Sequence, residues 1–361
     1  MKILAIITTN SYQHDLRPEL EFFIEMHHQG IHIDVCTQAN TEYAKILKDE
    51  GIAIVGDFPT SKRDKEFTQH LRTLLINGNY DIVHSLHRKS IACALQATKG
   101  VDVKIVAYRG ASGLHWHDPF AYANALNPRI DKVICVCNRI RDDLRKQLFF
   151  KKDKAITIYK GHDITWFDNV QATERKFLGV SEHDFVLTCT ANDRKWKGIP
   201  TLLDAIGLLP TDSKIKLVLI GNGLNSPYYL KKIDANINKD KIISLGFRDD
   251  AMSIAKTSDI ILQTSYKNEG LSRSTIEGMA LGCAPIVTDA GGNAELVIDR
   301  ECGLVVPIKN AQAMADAIME LYNNPQLVKQ YQEASYERIK TNFTVKKTAQ
   351  ETIAVYNELV K

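Results

Sequence analysis

Two glutamates and a glycine-led helix start are the residues of this chain whose types and spacing suit chemistry. Glu269 and Glu277 stand eight residues apart in SYKNEGLSRSTIEGMALGCAPIVTDAGGNAEL, residues 265–296. At about 3.6 residues per turn, that interval returns to one face of a helix two turns on. A helix beginning just after Gly270 presents the unpaired N–H groups of Leu271, Ser272 and Arg273 and the positive end of its dipole. That is an anion site. Two carboxylates beside it accept hydrogen bonds from sugar hydroxyls at two separated places. The spacing alone is equally that of an acidic helix start and a surface glutamate.

Other spacings point elsewhere. GNGLNS, Gly221 to Ser226, is similar to the G-x-G-x-x-G dinucleotide fingerprint, with Ser226 as the third glycine, and would make the chain an NAD-dependent oxidoreductase. It falls in mid-chain, and no acidic residue closes a second strand about 20 residues on. His115 and His117 in GLHWHDP have the spacing of a metal pair, but no cysteine or carboxylate cluster completes a set, so acceptor contacts and no metal are expected. Cys135 and Cys137 in KVICVC lack the C-x-x-C spacing of a metal or redox pair, and no such pair is expected of them.

Positioning these residues requires rigid elements, and the chain supplies them regularly. Short apolar runs rich in β-branched residues read as strands: KILAIIT, IHIDVCT, DIVHSL, KIVAYR, KVICVC and AITIYK, then FVLTCTA, KLVLIG, IISLG, DIILQTS, APIVTD and GLVVP. Helical patterns such as PELEFFIEMHHQG and IPTLLDAIGLLP lie between them. Strand and helix in alternation imply parallel sheets covered by helices. The alternation pauses between about 160 and 184, where turn formers gather and a domain linker is expected. The fold class is therefore α/β, two Rossmann-like domains facing across a cleft, with ligand at the carboxyl ends of the strands. The 361 residues agree with two domains, since single cores stop growing at roughly 250–300 residues.

Composition removes other classes. With 44% hydrophobic and 25% charged residues the chain is globular, and a net charge of +3 is too small to argue for nucleic acid. No run reaches the roughly 20 apolar residues of a membrane span, and the opening MKILAIITTN is too short for a signal-peptide core. Seven cysteines, scattered in apolar runs without C-x-x-C spacing, suit reduced buried thiols in cytosol. The charge gathers in NRIRDDLRKQLFFKKDK, residues 138–154, with seven basic and three acidic side chains. This is either a solvated helix face or a patch facing anionic lipid or an anionic acceptor.

The stretch EGLSRSTIEGMALGCAPIVTDAGGNAE, residues 269–295, resembles the donor-site motif of the large retaining nucleotide-sugar glycosyltransferases of group 1, of the family four type and GT-B fold. That motif is written E-G-x(6)-E-A-M-A-x-G followed by P-V-I-x-T-D-x-G-G-x-x-E; here Gly278 replaces the usual Ala. GNGLNSPYY, IISLGFRDD, SDIILQTS and CGLVVPIKNAQAMADAI keep the family order, so the resemblance covers about residues 185–320. In the first half it rests on DIVHSLH and NPRIDKVICVCNRIRDDL.

The resemblance implies transfer of a sugar, with retention, from a UDP- or GDP-sugar to a glycan or lipid-linked acceptor, without metal. Cell-envelope polysaccharide or lipopolysaccharide synthesis, at a cytoplasmic and peripheral membrane location, follows from family habit. It implies domains 1–165, joined by the last helix at about 343–361, and 166–342. Glu269 would lie near hydroxyls of the transferred sugar, Glu277 at the nucleotide ribose, and the backbone of Gly270, Leu271 and Ser272 at the diphosphate. Lys197 in NDRKWKG occupies the place of the phosphate-binding lysine. The usual arginine five or six residues earlier is replaced by Asn192 and Ala191, and Arg194 is expected to substitute. Phe247 and Arg248 would hold the base, with Gly221 and Asn192 on the same donor side.

The first half departs from the family. The loop TTNSYQHDLRPE lacks the usual Gly-Gly pair, and Arg109 stands where a histidine close to the reacting sugar is usual, so it is expected as a catalytic cation that steadies the departing diphosphate. Arg17, His115 and His117 are the acceptor-side candidates. A nucleotide-sugar epimerase of the same fold is an alternative reading. An idle binding partner is a third, opposed by the presence of Glu269, Glu277 and Lys197 together.

Overall fold

In the computed structural model, which describes residues 1–9 and 13–361 with the side chains of 13–15 aside, the chain divides into two units. The glycine-free loop singled out above lies partly outside the described residues, at positions 10–12. One unit comprises Met1–Gly161 with Phe343–Lys361, the other His162–Asn342.

The first unit holds strands β1 (Lys2–Ile6), β2 (His32–Cys36), β3 (Ala53–Gly56), β4 (Ile82–Ser85), β5 (Lys104–Arg109), β6 (Lys132–Cys135) and β7 (Ala155–Thr157). They form one sheet in the order β3-β2-β1-β4-β5-β6-β7, every pairing parallel. The second holds β8 (Phe185–Thr190), β9 (Ile215–Ile220), β10 (Ile242–Gly246), β11 (Ile260–Gln263), β12 (Ala284–Thr288) and β13 (Leu304–Val306), ordered β10-β9-β8-β11-β12-β13 and again parallel. Both units are thus doubly wound and Rossmann-like, with the strand order reversing beside β1 in one and beside β8 in the other.

The apolar runs form strands because both faces of each sheet are covered. In the second unit Leu187, Leu217, Leu219, Ile260 and Leu262 pack with helix residues Ile199, Leu202, Leu203 and Ile206 on one side. Their neighbours Val186, Val218 and Ile220 pack with Leu178, Val180 and Ile254 on the other. In the first unit Leu4, Ile6, Cys36 and Val83 meet Phe67, Leu71, Leu75 and Ala94.

β3 has no counterpart among the runs read from the sequence; its apolar AIV is short, and as an edge strand its four residues are exposed or half-buried. The last helix, Val345–Leu359, belongs to the first unit, where it packs on the helix Gln13–His28. It is fixed by a buried hydrogen bond of 2.6 Å between the Tyr356 hydroxyl and Nδ1 of His84 in the middle of β4.

Candidate active site

The loops after β8 and β11 leave neighbouring strands at the point where the strand order of the second unit reverses, the place where open α/β sheets bind ligands. Lys197 comes from the first loop and Glu269 from the second. Their side chains meet, with Nζ 2.5 Å from Oε1. The backbone holds both ends of the pair. Tyr266 N–H donates to the Trp196 carbonyl at 2.9 Å, and the Thr264 hydroxyl donates to the Lys197 carbonyl at 2.7 Å.

Gly198 lets the two loops approach this closely. Its φ is +72°, and a Cβ there would lie 2.0 Å from the Thr264 carbonyl oxygen. Gly291 does the same from the loop after β12, at φ +59° with a Cβ position 2.1 Å from the Glu269 carbonyl oxygen. The adjacent Gly292 N–H donates to the Gly270 carbonyl at 2.9 Å. Any side chain at either glycine would push the Glu269 loop away.

A buried polar chain orients Glu269. The Ser265 hydroxyl lies 2.7 Å from Glu269 Oε1 and 2.8 Å from Gln263 Oε1, and the Gln263 amide nitrogen donates to the Ser272 hydroxyl at 2.7 Å. Gln263, Ser265 and Ser272 are all buried, so each group depends on these partners. Thr288 closes the chain by donating its hydroxyl to the Ser265 carbonyl. Neither Gln263 nor Ser265 was among the candidate residues. Their signal is the polar Gln-Thr-Ser that ends the otherwise apolar run DIILQTS.

The helix after Glu269 starts later than the sequence suggests. It runs Arg273–Ala280, with Ser272 as its cap, the Ser272 hydroxyl accepting from the Thr275 N–H at 3.4 Å. A serine cap competes successfully for the first-turn donors, so the chain turns helical only after it. Gly270 and Leu271 therefore stand in the approach loop, and Glu269 precedes the helix instead of sharing a face with Glu277. Glu277 lies within the helix with its side chain 18% exposed and Arg273 Nε 3.4 Å from its Oε1. Burial pushes its carboxyl up from 4.5 to about 7, against the opposing pull of Arg273.

The other donor-side candidates ring this core. Gly221 N–H donates to the Gly246 carbonyl at 2.7 Å, stitching the ends of β9 and β10 together just before Phe247. Gly221 itself, at φ +145°, packs against the Ala191 carbonyl, so this glycine loop is tied to the ends of β8 and β10. Phe247 is 56% exposed, as a ring offered to a base would be, while Arg248 is held in a two-pronged ion pair with Asp250. Asn192 accepts the Arg194 N–H at 3.3 Å, and the exposed Arg194 guanidinium lies over the Trp196 ring, 5.6 Å from its centre.

In the first unit Arg109 ends β5, is buried, and donates to the Ser112 carbonyl at 2.7 Å. Burial first, and Arg88 second, lower its pKa to about 10, so it stays a cation at neutral pH. His115 and His117 are exposed and stacked, ring centres 5.4 Å apart. Among the described residues no group of three or more His, Cys, Asp or Glu is placed to hold a metal ion. Arg17 pairs with Glu21 along its own helix at 3.1 Å. Cys135 ends β6 and Cys137 caps the following helix, both buried and neither in a disulfide.

Residues 170–338 match the family described as Glycosyl transferases group 1, and residues 20–166 match Glycosyltransferase Family 4. An uncharacterized glycosyltransferase of Methanocaldococcus jannaschii is 29% identical over 64% of this chain and 59% of its own length. The UDP-Gal:α-D-GlcNAc-diphosphoundecaprenol α-1,3-galactosyltransferase of Escherichia coli is 25% identical over 66% of this chain and 59% of its own. The chain thus matches about three-fifths of the length of these two relatives. Among solved structures, a glycosyltransferase of Rickettsia africae aligns with a TM-score of 0.83 at 21% identity, covering 100% of this chain and 98% of that one. The Anabaena protein HepE, solved with UDP, aligns at 0.79 and 19% identity, covering 99% and 100%. With two sheets of GT-B type and both halves matched in order, this chain belongs to the group 1 glycosyltransferases.

Proposed function

We propose that this glycosyltransferase moves a sugar from a nucleoside-diphosphate sugar to a glycan or lipid-linked acceptor, with retention at the anomeric carbon and without a divalent metal. The observation that carries the reading is the Lys197–Glu269 pair, set on adjacent loops at the strand-order reversal and followed directly by a helix start. Charge develops on the diphosphate as the anomeric bond breaks, so preorganised positive groups aimed there are the main catalytic term. Lys197 and the backbone N–H groups of Leu271 and Ser272 supply them, and Arg194 reaches the same phosphates once it leaves the Trp196 face. Glu269 accepts from hydroxyls of the transferred sugar, Glu277 from the ribose, and Phe247 lies along the base.

No carboxylate is assigned as nucleophile; the departing phosphate takes the proton of the incoming hydroxyl on the same face. The loop of His115 and His117 serves the acceptor. The E. coli relative's name gives UDP-Gal as donor and a diphosphoundecaprenol carrier as acceptor, and HepE was solved with UDP, which supports a UDP-sugar and a lipid-linked acceptor here. Envelope polysaccharide or lipopolysaccharide synthesis at the cytoplasmic side of a membrane fits such an acceptor. The cations of residues 138–154 would favour an anionic membrane surface. No helix among the described residues is long and apolar enough to cross a membrane.

The test is thermal stabilisation by a panel of nucleoside diphosphates and NAD with EDTA present. A ligand at 100 times its dissociation constant adds about 2.7 kcal/mol. Stabilisation by UDP or GDP that survives EDTA is expected. Its loss with EDTA would remove the metal-free site, and stabilisation by NAD alone would restore the oxidoreductase.

A further inference from the structure

The structure redraws the basic stretch of residues 138–154. Lys154 is buried and donates to the Asn127 carbonyl at 2.7 Å, and Arg145 is spent on the Ala155 carbonyl at 3.1 and 2.8 Å. Arg141 bonds Asn138 and Asp142 at 2.7 and 2.8 Å, while Arg139 and Lys146 lie 3.6 and 3.8 Å from Asp143. Each of these cations thus has a partner within the fold, whether a carboxylate, a side-chain amide or a backbone carbonyl. Lys151 and Lys152 are different: both are exposed, and neither has an ion pair among the described residues. They follow Phe149 and Phe150, which are 62% and 85% exposed, and Lys151 turns the chain with φ at 51°.

Another exposed aromatic joins this tip from a distant segment. The Trp116 ring, 53% exposed, meets Phe149 edge to face at 5.6 Å, and its backbone N–H donates to Gln147 Oε1 at 3.1 Å. Four residues on, Phe120 is 71% exposed, and with Tyr122 it lines a groove walled by Lys62, Arg63, Lys99 and Arg129. Exposed aromatics next to cations are what a bilayer surface selects: the rings enter at headgroup depth while the ammonium groups stay with the phosphates. A scattered exposed phenylalanine needs no explanation, but a contiguous ring cluster does.

We propose that the first unit docks on an anionic phospholipid bilayer through a wedge of Trp116, Phe149 and Phe150, with Lys151 and Lys152 at the headgroups. The partner is chosen by charge complementarity, since two unpaired ammonium groups stand beside the rings and Asp153 is the one acid within the tip. Docking is independent of donor chemistry. Nucleotide binding belongs to the second unit, so failure of either reading leaves the other measurable.

The experiment is co-sedimentation of the full chain with phosphatidylcholine vesicles, with and without one third phosphatidylglycerol, at low and high salt. Recovery is expected on anionic vesicles only, falling with salt. F149S/F150S should lower partition at least tenfold, and K151E/K152E at least as much, since each lysine near the surface is worth about fivefold. All four residues are exposed, so thermal midpoints and UDP stabilisation should match wild type. Tryptophan emission should shift to the blue on anionic vesicles, and W116F should abolish the shift. Equal recovery on both vesicle types, wild-type partition by the serine variant, or a concentration-dependent dimer lost in that variant would overturn the proposal, the last because the wedge then meets a second copy.

Discussion

Lys197 Nζ and Glu269 Oε1 lie 2.5 Å apart, so the cation proposed for the donor phosphates and the carboxylate proposed for the sugar neutralise one another. On the proposed reading, donor binding exchanges one ion pair for a set of charge-assisted hydrogen bonds while Ser265 keeps its contact with the carboxylate.

That exchange separates the two residues experimentally. Lys197→Ala should weaken nucleoside diphosphate by about tenfold to a hundredfold, the 1.5–3 kcal/mol of a hydrogen bond to a charged group. Glu269→Gln removes the competitor for Lys197, so free nucleotide should bind as well as to wild type or better, while turnover of intact donor falls. Calorimetry beside donor hydrolysis reads both. Glu269→Gln weakening the nucleotide as much as Lys197→Ala would reverse the assignment.

Glu277 should make nucleotide binding pH-dependent. Its carboxyl titrates near 7 in the folded chain against 4.5 ordinarily, so between those values the folded chain holds the extra proton. Stability then falls as pH rises through that window and levels off above about 7. A ribose donates its hydroxyls, so it needs the carboxylate, and UDP affinity should rise from about pH 6 to about pH 8 with proton release. Glu277→Gln should flatten both dependences. A wild-type affinity constant across that range is the result that removes Glu277 from the ribose.

The chain Ser272–Gln263–Ser265–Glu269 predicts a distant effect of Gln263. Gln263→Leu removes one partner from each of two buried hydroxyls and should cost about 1–3 kcal/mol of stability. It should also lower donor turnover more than UDP affinity, because it frees Glu269 and not Lys197. Gln263→Glu keeps the acceptor for the Ser265 hydroxyl and offers its second oxygen to the Ser272 hydroxyl, which then donates, so it should recover turnover. Equal losses from both variants would reduce Gln263 to a packing residue.

His84 and Tyr356 tie the last helix to the first sheet. Burial lowers the imidazole from 6.5 to about 3, so the unfolded chain takes a proton that the folded one refuses. Stability from this site is complete above about 6.5 and is lost as pH falls toward 3. Tyr356→Phe should destabilise by about 1–3 kcal/mol at neutral pH, and His84→Leu should shallow the acid limb of the melting profile. An unchanged acid limb would mean that other groups set it.

The sequence by itself determined the two-sheet α/β class, because buried parallel strands must be nearly continuous apolar runs, and runs such as FVLTCTA and KLVLIG cannot be hidden otherwise. It also carried the family, through the order of motifs from residue 185 to 320. It missed β3, an edge strand of four residues whose apolar AIV is too short to stand out as a run. Spacing placed Glu269 and Glu277 on one helix face, but the Ser272 cap delays the helix, a choice made by hydrogen-bond competition that periodicity does not register. The ion pair of residues 72 positions apart, the glycines that admit it and the Gln263 relay exist only once β8 and β11 are neighbours. The basic run of 138–154 was legible as charge. Only packing decided which cations were spent internally, since Lys154 and Arg145 find backbone carbonyls that the fold brings to them, and Lys151 and Lys152 find none among the described residues.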